Sequence, residues 1–233
     1  LGVQFRFNEN VTAITVEAGK AEKVVTDKNI YLADAVISGA DYHFTETSLL
    51  PSASQSYTED YWNKRVMAPS CILYYVGLNK KLNNIQHHSL FFDVSFEEHG
   101  QEIYKTKKWP SNPLFYVNAP SVTDPQTAPP GCENLFFLIP VAAGLPGDDE
   151  PLREQYFNLI VKRMEVLTNQ PIMESIVYKK SYSVSNFVSD YNSFKGNAYG
   201  LANTLMQTAI LKPSCRSTKV KNLFFTGQLT VPG

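Results

Sequence analysis

The sequence carries little charge and almost no bias in its sign. Charged residues make up 18% of the 233, with 21 basic side chains against 22 acidic ones. Proteins that bind nucleic acid need a basic surface to neutralise phosphates, so no nucleic-acid partner is expected. Cysteine is scarce too. Cys71, Cys132 and Cys215 are odd in number, lack metal-ligand spacing and are interpreted as reduced thiols of a cytosolic protein.

A signal peptide and long apolar runs are also missing. The opening residues, LGVQFRFNEN, have neither the basic nor the apolar region of a signal peptide, and they lack an initiator Met, which suggests a piece of a longer protein. No apolar run approaches the about 20 residues of a membrane-spanning helix. We therefore expect a cytoplasmic protein that is soluble or attached peripherally to a membrane surface.

The motifs of several enzyme classes do not occur. HExxH, GxSxG and paired CxxC are absent, as are the phosphate-binding motifs GxGxxG and GxxxxGK[ST]. His87 and His88 are adjacent, so in a strand they face opposite sides and cannot both reach one metal. We therefore expect no metal site, no nucleophile-and-base chemistry and no phosphate cradle within these residues. The catalytic residues remain unknown.

What the sequence does contain is aromatic residues, 12% of the total, in short alternating runs. Such residues fill a core or line a tunnel for a long apolar ligand. Near the N-terminus, VQFRF, VTAITVEA and three short runs up to residue 41 predict strands, and two helical patterns follow at Tyr42–Leu50 and Thr58–Val66. Four aromatic runs then predict strands, namely SCILYYVGLN, HSLFFDVSF, PLFYVNAPSV and NLFFLIPVAA.

The rest of the chain adds two helices and two strands. Asp148-Asp149-Glu150-Pro151 is a typical helix start, because acidic residues and proline favour the first turn. IMESIVYKKSYS predicts a strand, LANTLMQTAIL a buried helix and NLFFTG a final strand. The predicted fold class is α/β (α+β): a mixed or antiparallel sheet with helices, flanked by partial pieces of a Rossmann-like FAD-binding domain.

Three elements are candidates for a cofactor site: the hairpin around Val11, the strand end ISGAD and the closing TGQLTVPG. Glycine turns expose backbone amides that can bind a nucleotide or flavin without side-chain bulk. Taken alone, each element is more typical of an ordinary turn at the end of a strand than of a cofactor site.

Taken together, the sequence resembles the phytoene desaturase family, the bacterial-type carotenoid desaturases, which are FAD-dependent flavoproteins. The resemblance rests on DAVISGADYHFTETSLLP, APSCILYYVGLNK, IQHHSLFFD, LFYVNAPSVTDPQTAPPGCENLFFLIPVAAG, GNAYGLANTLMQTAILKPSCRS and NLFFTGQLTVPG. It implies a C-terminal half that lacks cofactor-binding segments at both ends, is inactive alone and does not retain FAD. The implied domains are a partial FAD-binding domain at 1–42, a substrate-binding domain at 43–190 and a return to the FAD-binding domain at 191–233.

The resemblance also implies cofactor contacts. Val11 would contact the adenine through its backbone, residues 38–41 would flank the dinucleotide, and the closing turn would lie near the flavin ring. The implied set is Val11, Ser38, Gly39, Ala40, Asp41, Gly227, Gln228, Pro232 and Gly233. Where many relatives have Ser-Asn-Ala-Asp and Gly-Ala-Gly-Thr, this chain has SGAD and GQLT, and Leu229 is expected to alter the flavin environment.

The implied reaction is removal of a hydride and a proton from an acyclic C40 carotene, and the flavin takes the hydride. The aromatic strands at 73–76, 90–92, 114–117 and 135–138 would wall a channel for this apolar carotenoid substrate, although half of their side chains must be core. A membrane surface is the expected partner, contacted through Tyr61, Trp62, Lys64 and Arg65. The oligomeric state remains unknown. Two alternatives are another flavin enzyme, amine-oxidase-like or isomerase-like, and a non-catalytic lipid-binding module.

Overall fold

A computed structural model describes residues 2–230 and divides the chain into two compact units. Unit 1 comprises Leu1–Met67, Tyr191–Phe194 and Tyr199–Gly233, and unit 2 comprises Ala68–Asp190 and Lys195–Ala198. The main elements in chain order are β1 (Val11–Glu17), β2 (Lys20–Thr26), β3 (Ile30–Leu32), β4 (Val36–Ser38), α1 (Tyr42–Phe44, continued by a π-helical turn at Thr45–Leu49), α2 (Glu59–Asn63), β5 (Ser70–Leu78), β6 (His88–Phe91), α3 (Phe96–Gln101), β7 (Phe115–Asn118), β8 (Glu133–Val141), α4 (Glu150–Thr168), β9 (Ile176–Tyr182), α5 (Val184–Tyr191) and β10 (Leu223–Phe225).

Unit 1 contains two small sheets. β1, β2 and β3 form an antiparallel sheet in that order. Ala18 and Gly19, between β1 and β2, have φ values of 47° and 74°, the type I′ geometry that matches the twist of a hairpin. The second sheet pairs β4 with β10 in parallel, with Phe225 beside Ser38.

The side chain of Asn222 joins the two sheets of unit 1. Its Oδ1 accepts the Ala21 amide at 2.7 Å, and its Nδ2 donates to the carbonyls of Ala21 at 2.9 Å and Asp34 at 2.8 Å. These bonds fix the start of β10 relative to β2 and to the entry into β4. One core packs against both sheets, formed by Ile14, Ala21, Tyr42, Leu49, Leu50, Trp62, Leu201, Val220, Leu223, Phe225 and Leu229.

Unit 2 is built on an antiparallel five-stranded sheet in the order β6-β7-β8-β5-β9. Buried and half-buried residues alternate along β8, because successive side chains of a strand point to opposite faces. The buried face includes Ile72, Tyr74, Val76, Leu78, Phe115, Val117, Leu135, Phe137 and Ile139.

Helix α4 covers this buried face. Asp149 caps its N-terminus by accepting the Leu152 amide at 2.9 Å. The Phe157 ring packs 5.0 Å from that of Tyr74 and 6.2 Å from that of Phe137, centroid to centroid. Between residues 2 and 230, no helix has both the length and the apolar character needed to cross a bilayer.

The predicted fold class is confirmed, and so are the four aromatic strands, the helix start before residue 150 and the short strand at the end of the chain. Two predicted elements are wrong. VQFRF forms no strand. Val3, Phe5 and Phe7 are exposed, and no strand among the described residues pairs with this segment. The segment LANTLMQTAIL is mostly exposed, with only Leu201 and Gln207 buried, and it is not helical apart from a short 3₁₀ turn at Ala209–Leu211.

A buried glutamine explains why residues 201–211 do not form a helix. The Gln207 amide accepts the Val66 amide proton at 2.9 Å and donates to the carbonyls of Val66 at 2.8 Å and Ala202 at 3.1 Å. These bonds satisfy backbone groups of an extended segment, so a helix there would lose them. In contrast, α5 occupies residues for which the sequence predicted no helix.

The compact units are not identical with the predicted domains, whose FAD-binding and substrate-binding roles stay predictions. Unit 1 continues to Met67, beyond residue 42, because Leu49, Leu50 and Trp62 pack in the same core as Leu223. The second division lies after Asp190, and residues 195–198 return to unit 2.

His99 of α3 is a buried histidine that the surrounding backbone holds neutral. Its Nδ1 accepts the Leu114 amide at 3.0 Å, and its Nε2 lies 2.9 Å from the Pro140 carbonyl oxygen. A carbonyl oxygen can accept a hydrogen bond but cannot donate one, so Nε2 carries the proton. Since Nδ1 accepts a hydrogen bond, it carries none, and the ring is a neutral tautomer. Burial lowers the pKa of His99 below its usual 6.5.

We expect His99 to make the protein less stable in acid. Below the pKa of an unfolded histidine, about 6.5, the unfolded chain binds a proton that folded His99 does not, so the free energy of unfolding falls until the pH reaches the lower folded pKa. His99→Gln removes this titration, and denaturant titrations between about pH 7 and pH 5 should show a flatter profile. Parallel profiles for the two proteins would assign the acid sensitivity to other groups.

Candidate functional site

The parallel pairing of β4 and β10 brings two glycine turns to the same edge of a sheet. The Thr226 amide donates to the Ser38 carbonyl at 2.9 Å, which extends the ladder by one bond beyond the strands. Gly39 directly follows β4, and Gly227 is the second residue after β10. Ligands of parallel sheets bind outside the carboxyl ends of the strands, and this is such an edge.

The two turns form an exposed shelf, defined here as residues 39–40 and 226–228, all of which are exposed. Gly227 has φ of 126°, which side-chain-bearing residues rarely adopt, and a Cβ built on it would meet no atom within 4 Å. A Cβ at Gly39 would lie 3.8 Å from the Thr226 side chain. Open space above glycine backbone fits a flat ligand that hydrogen-bonds to amides, so these residues fit a flavin dinucleotide.

Asp41 orders the first turn of the shelf. Its Oδ1 accepts the Phe44 amide at 3.1 Å, and its Oδ2 accepts the Phe194 amide, also at 3.1 Å. Ser38, buried at the end of β4, pairs its hydroxyl with that of Thr45 at 2.7 Å. These contacts tie the strand end to the helical segment that follows, so Ser38 and Asp41 hold the turn in place.

A cluster of aromatic side chains supports the shelf from the core. The Tyr42 ring stacks on Phe225 with centroids 3.7 Å apart, and the Trp62 ring lies 5.6 Å from that of Tyr42. Trp62 is fully buried, so its predicted contact with a membrane is wrong: a side chain with 0% exposure cannot insert into lipid. Its indole nitrogen has no hydrogen-bond partner within the described chain.

Gly200 is a site residue that sequence reasoning missed. It has φ of 76°, and a Cβ built on it would overlap the Gln228 carbonyl oxygen and lie 2.7 Å from the carbonyl carbon. The loop at Gly200 therefore fits against the closing turn only because it lacks a side chain. Leu229 is 3% exposed and packs in the core of unit 1, so its side chain does not project from the shelf.

Of the other predicted cofactor residues, Val11 lies in a different sheet. Val11 begins β1 in the three-stranded sheet, where it pairs with Thr26 and packs against the core of unit 1. It does not belong to the sheet that carries the shelf. Pro232 and Gly233 lie outside the described residues, so their predicted proximity to the flavin stays a prediction.

The structure divides the predicted channel walls into two faces. Residues that alternate with the buried set lie on the side of the sheet away from α4, which we call the open face: Leu73, Tyr75, Leu90, Tyr116, Phe136 and Leu138. Tyr75 and Leu90 are 42% and 64% exposed, and the Tyr75 and Phe136 rings lie 5.4 Å apart. Unit 2 thus has one packed face and one wide, partly exposed apolar face.

Comparisons with known proteins identify relatives of this chain. Residues 1–232 match the family described as flavin containing amine oxidoreductase. The chain is 40% identical over 200 residues to the carotenoid 3,4-desaturase of Haloarcula japonica, covering 86% of this chain and 40% of that protein. It is 29% identical over 260 residues to the phytoene desaturase of Fusarium fujikuroi, covering 100% and 45%.

The fold is similar to that of an oxidoreductase from Methanosarcina mazei, with a TM-score of 0.59 at 18% identity, covering 95% of this chain and 44% of that structure. The chain thus spans less than half the length of the proteins it matches. Since the family match extends over nearly every residue, the chain belongs to the flavin-containing amine oxidoreductase family, within its phytoene desaturase group.

Proposed function

We propose that the protein is an FAD-dependent carotenoid desaturase that introduces double bonds into an acyclic C40 carotene. The observation that carries the proposal is the open face, a wide apolar surface of aromatic and branched side chains on an otherwise packed sheet. A long polyene has no charge to recognise, so alignment depends on such a surface. The relatives named as carotenoid and phytoene desaturases support the same substrate class.

The exposed shelf would hold the cofactor through the backbone of Gly39, Ala40, Gly227 and Gln228. When bound, FAD supplies the acceptor for the hydride. The chain's own contribution is rigidity: Asp41 and Gly200 fix the two turns, and the aromatic cluster behind them prevents their displacement. The open face would align the polyene and exclude water, a role that needs no acid–base pair.

The direct test uses the complete open reading frame in cells that accumulate colourless phytoene. Absorption spectra of extracted pigment should shift into the visible, and the band positions report how many double bonds form. An unchanged spectrum from folded, flavin-loaded protein would contradict the proposal. Reduction of that flavin by amines would then favour an amine-oxidase-like enzyme, whereas apolar ligand binding without flavin would favour a lipid-binding module.

The 233-residue chain alone should not retain FAD. Its shelf offers the ends of only two strands, and the sequence contains no GxGxxG for the pyrophosphate, whose charge-assisted hydrogen bonds contribute much of the affinity for a dinucleotide. Absorbance of the purified chain after dialysis measures the bound flavin, with the complete protein as the positive control. Stoichiometric FAD on the chain alone would contradict this expectation.

We also propose contact with a membrane surface, since the substrate is stored in lipid. Because Trp62 is buried, we assign the membrane contact to residues 205–211. Their aliphatic side chains are highly exposed: Leu205 is 90%, Met206 73% and Ile210 93% exposed. Residues 199–230 contain four basic and no acidic side chains. Exposed aliphatic groups beside basic ones are the combination that binds anionic bilayers.

Charging the aliphatic loop should weaken membrane binding. We expect the complete protein with Leu205→Glu and Ile210→Glu to bind anionic vesicles at least about tenfold more weakly, because each Leu or Ile withdrawn from lipid loses about 1.5–3 kcal/mol. Vesicle sedimentation measures the effect. Val166→Glu is the matched control, since Val166 is 74% exposed on α4 and lies in unit 2. Equal binding by the wild-type protein, the loop variant and the Val166→Glu control would refute the role of the loop.

A further inference from the structure

A polar cluster interrupts the open face at its β6 edge. His88 of β6 and Asn118 of β7 are register partners on this face, and Tyr116 lies on it two residues away. Tyr116 Oη is 2.6 Å and Asn118 Nδ2 is 3.3 Å from His88 Nδ1. Leu90 and Phe136, the register partners of Tyr116 and Asn118, are apolar. The proposed desaturation uses none of the three polar groups.

The hydrogen bonds determine which nitrogen of His88 carries a proton. Asn118 Nδ2 also lies 3.3 Å from the carbonyl oxygen of His87, which only accepts, so Nδ2 is a donor in this orientation of the amide. His88 Nδ1 therefore accepts from Asn118, and the Tyr116 hydroxyl can donate to the same atom. A neutral imidazole that accepts at Nδ1 has its proton on Nε2.

Cohesion between the strands does not require this arrangement. β6 and β7 are already paired over four residues each, and on the opposite face the rings of Phe91 and Phe115 stack with centroids 4.5 Å apart. The cluster satisfies only one ring nitrogen of His88, a residue with an exposed side chain. Among residues 2–230, Nε2–H of His88 has no hydrogen-bond partner. It is a directed donor at the margin of an apolar surface.

We infer that His88, oriented by Tyr116 and Asn118, donates a hydrogen bond from Nε2 to an oxygen atom near the end of the polyene. This inference rests on the proposed function and narrows its substrate class to acyclic carotenes with a hydroxyl or carbonyl end group. Neighbouring strands lie about 4.8 Å apart, so the four steps from β9 to β6 span about 19 Å of the sheet. The hydrocarbon chain would lie across Leu73, Phe136 and Leu138, with its oxygenated end at the β6 edge.

Polyene binding to the complete protein tests the inference without requiring turnover. Quenching of tryptophan fluorescence gives the Kd for three polyenes of equal length: a hydrocarbon, a terminal alcohol and a terminal aldehyde. We expect the wild-type protein to bind an oxygenated polyene about 3- to 10-fold more tightly than the hydrocarbon, the usual gain from one net hydrogen bond. His88→Leu should bring this ratio to about 1, and His88→Gln, which keeps an N–H donor, should restore part of it.

His87 is unsuitable as a control, because its ring lies 4.3 Å from that of His88, centroid to centroid. Tyr104→Leu is the control instead, since Tyr104 is 52% exposed and lies outside the strands of the open face. It should keep the wild-type ratio. Equal Kd values for all three polyenes in the wild-type protein would overturn the inference, and so would a His88→Leu variant that weakens all three equally. Desaturation of the bound polyenes is assayed separately. Desaturation without tighter binding of the oxygenated polyenes would contradict the role of His88 but not the proposed function. Tighter binding of the oxygenated polyenes without desaturation would support the role of His88 and contradict the proposed function.

Discussion

Gly200→Ala should destabilise unit 1 by about 2–5 kcal/mol. An alanine with positive φ costs about 1–2 kcal/mol in backbone strain. The new Cβ would also overlap the Gln228 carbonyl, and relief of such overpacking costs a further 1–3 kcal/mol or so. Since Gln228 belongs to the exposed shelf, the displaced turn should also lower the fraction of FAD that the complete protein retains. Denaturant unfolding followed by the fluorescence of Trp62, in a Trp109→Phe background, reports on unit 1.

Gly19→Ala is the control for this effect, because Gly19 also belongs to unit 1, on which Trp62 reports. Gly19 has φ of 74°, nearly the same as Gly200, but a Cβ there would meet only the Lys219 carbonyl oxygen, at an ordinary contact distance of 3.8 Å. Its substitution should cost only the backbone strain, about 1–2 kcal/mol. The difference between the variants then measures the contact between Gly200 and Gln228. Equal losses in the two variants would show that the closing turn moves freely to accept a side chain, and that Gly200 does not position the shelf.

The aromatic strands of unit 2 could be predicted because their signal is local. Each carries branched and aromatic residues in alternation, and the pleat converts that alternation into two faces. Which set faces α4 was not predictable from any one strand, since both sets are apolar. Along β8, Leu135, Phe137 and Ile139 are buried, whereas Phe136 and Leu138 are only half-buried. The choice depends on the register with β5 and on the position of the helix.

The helix predicted at residues 201–211 is wrong because the contacts that determine this segment are not local. Its apolar residues have acceptable helical spacing, but their partners lie far away in sequence. Gln207 bonds to the backbone of Val66, 141 residues earlier, and that contact is worth more to the chain than local helix propensity. Asn222 similarly bonds to Ala21 across 201 residues. Side-chain to backbone bonds of this range leave no mark on sequence periodicity.

The candidate site was found in part because glycine turns after apolar strands are visible in sequence. Gly39 and Gly227 meet at one edge, as the pairing of β4 with β10 requires. Gly200 was missed because its need for glycine arises from Gln228, which lies 28 residues away. The His88 cluster was missed because its residues come from two separate strands. Its chemistry depends on hydrogen bonds that only the register creates.

The second large effect is expected at the Asp148–Arg153 pair in unit 2. Arg153 Nε and Nη2 lie 2.8 and 2.9 Å from the two oxygens of Asp148, and the side chains are only 9% and 3% exposed. Arg153 also bonds to Ser185 and Asn186 at 2.8 Å, and the Ser185 amide donates to Asp148 at 2.7 Å. The network therefore joins the start of α4 to α5.

Asp148→Ala should cost about 3–5 kcal/mol, because it leaves a buried guanidinium without its counterion. Burial alone would raise the pKa of Asp148, but hydrogen bonds from Arg153 and Ser185 outweigh it and hold that pKa below 3.8. The contribution to stability is therefore complete above that pH and is lost only as the pH falls through the lower folded pKa. Trp109, which donates to the Pro146 carbonyl at 2.8 Å, is a fluorescent reporter close to this loop.

The exposed pair of Asp60 and Lys64 provides the comparison. Its side chains are 74% and 68% exposed, so Asp60→Ala should change the free energy of unfolding by less than about 1 kcal/mol. The variant with Asp148→Leu and Arg153→Met removes both buried charges, and it should be more stable than Asp148→Ala alone because no unpaired guanidinium remains. A double variant as unstable as the single one would mean that the bonds to Ser185 and Asn186, rather than the ion pair, hold α4 to α5.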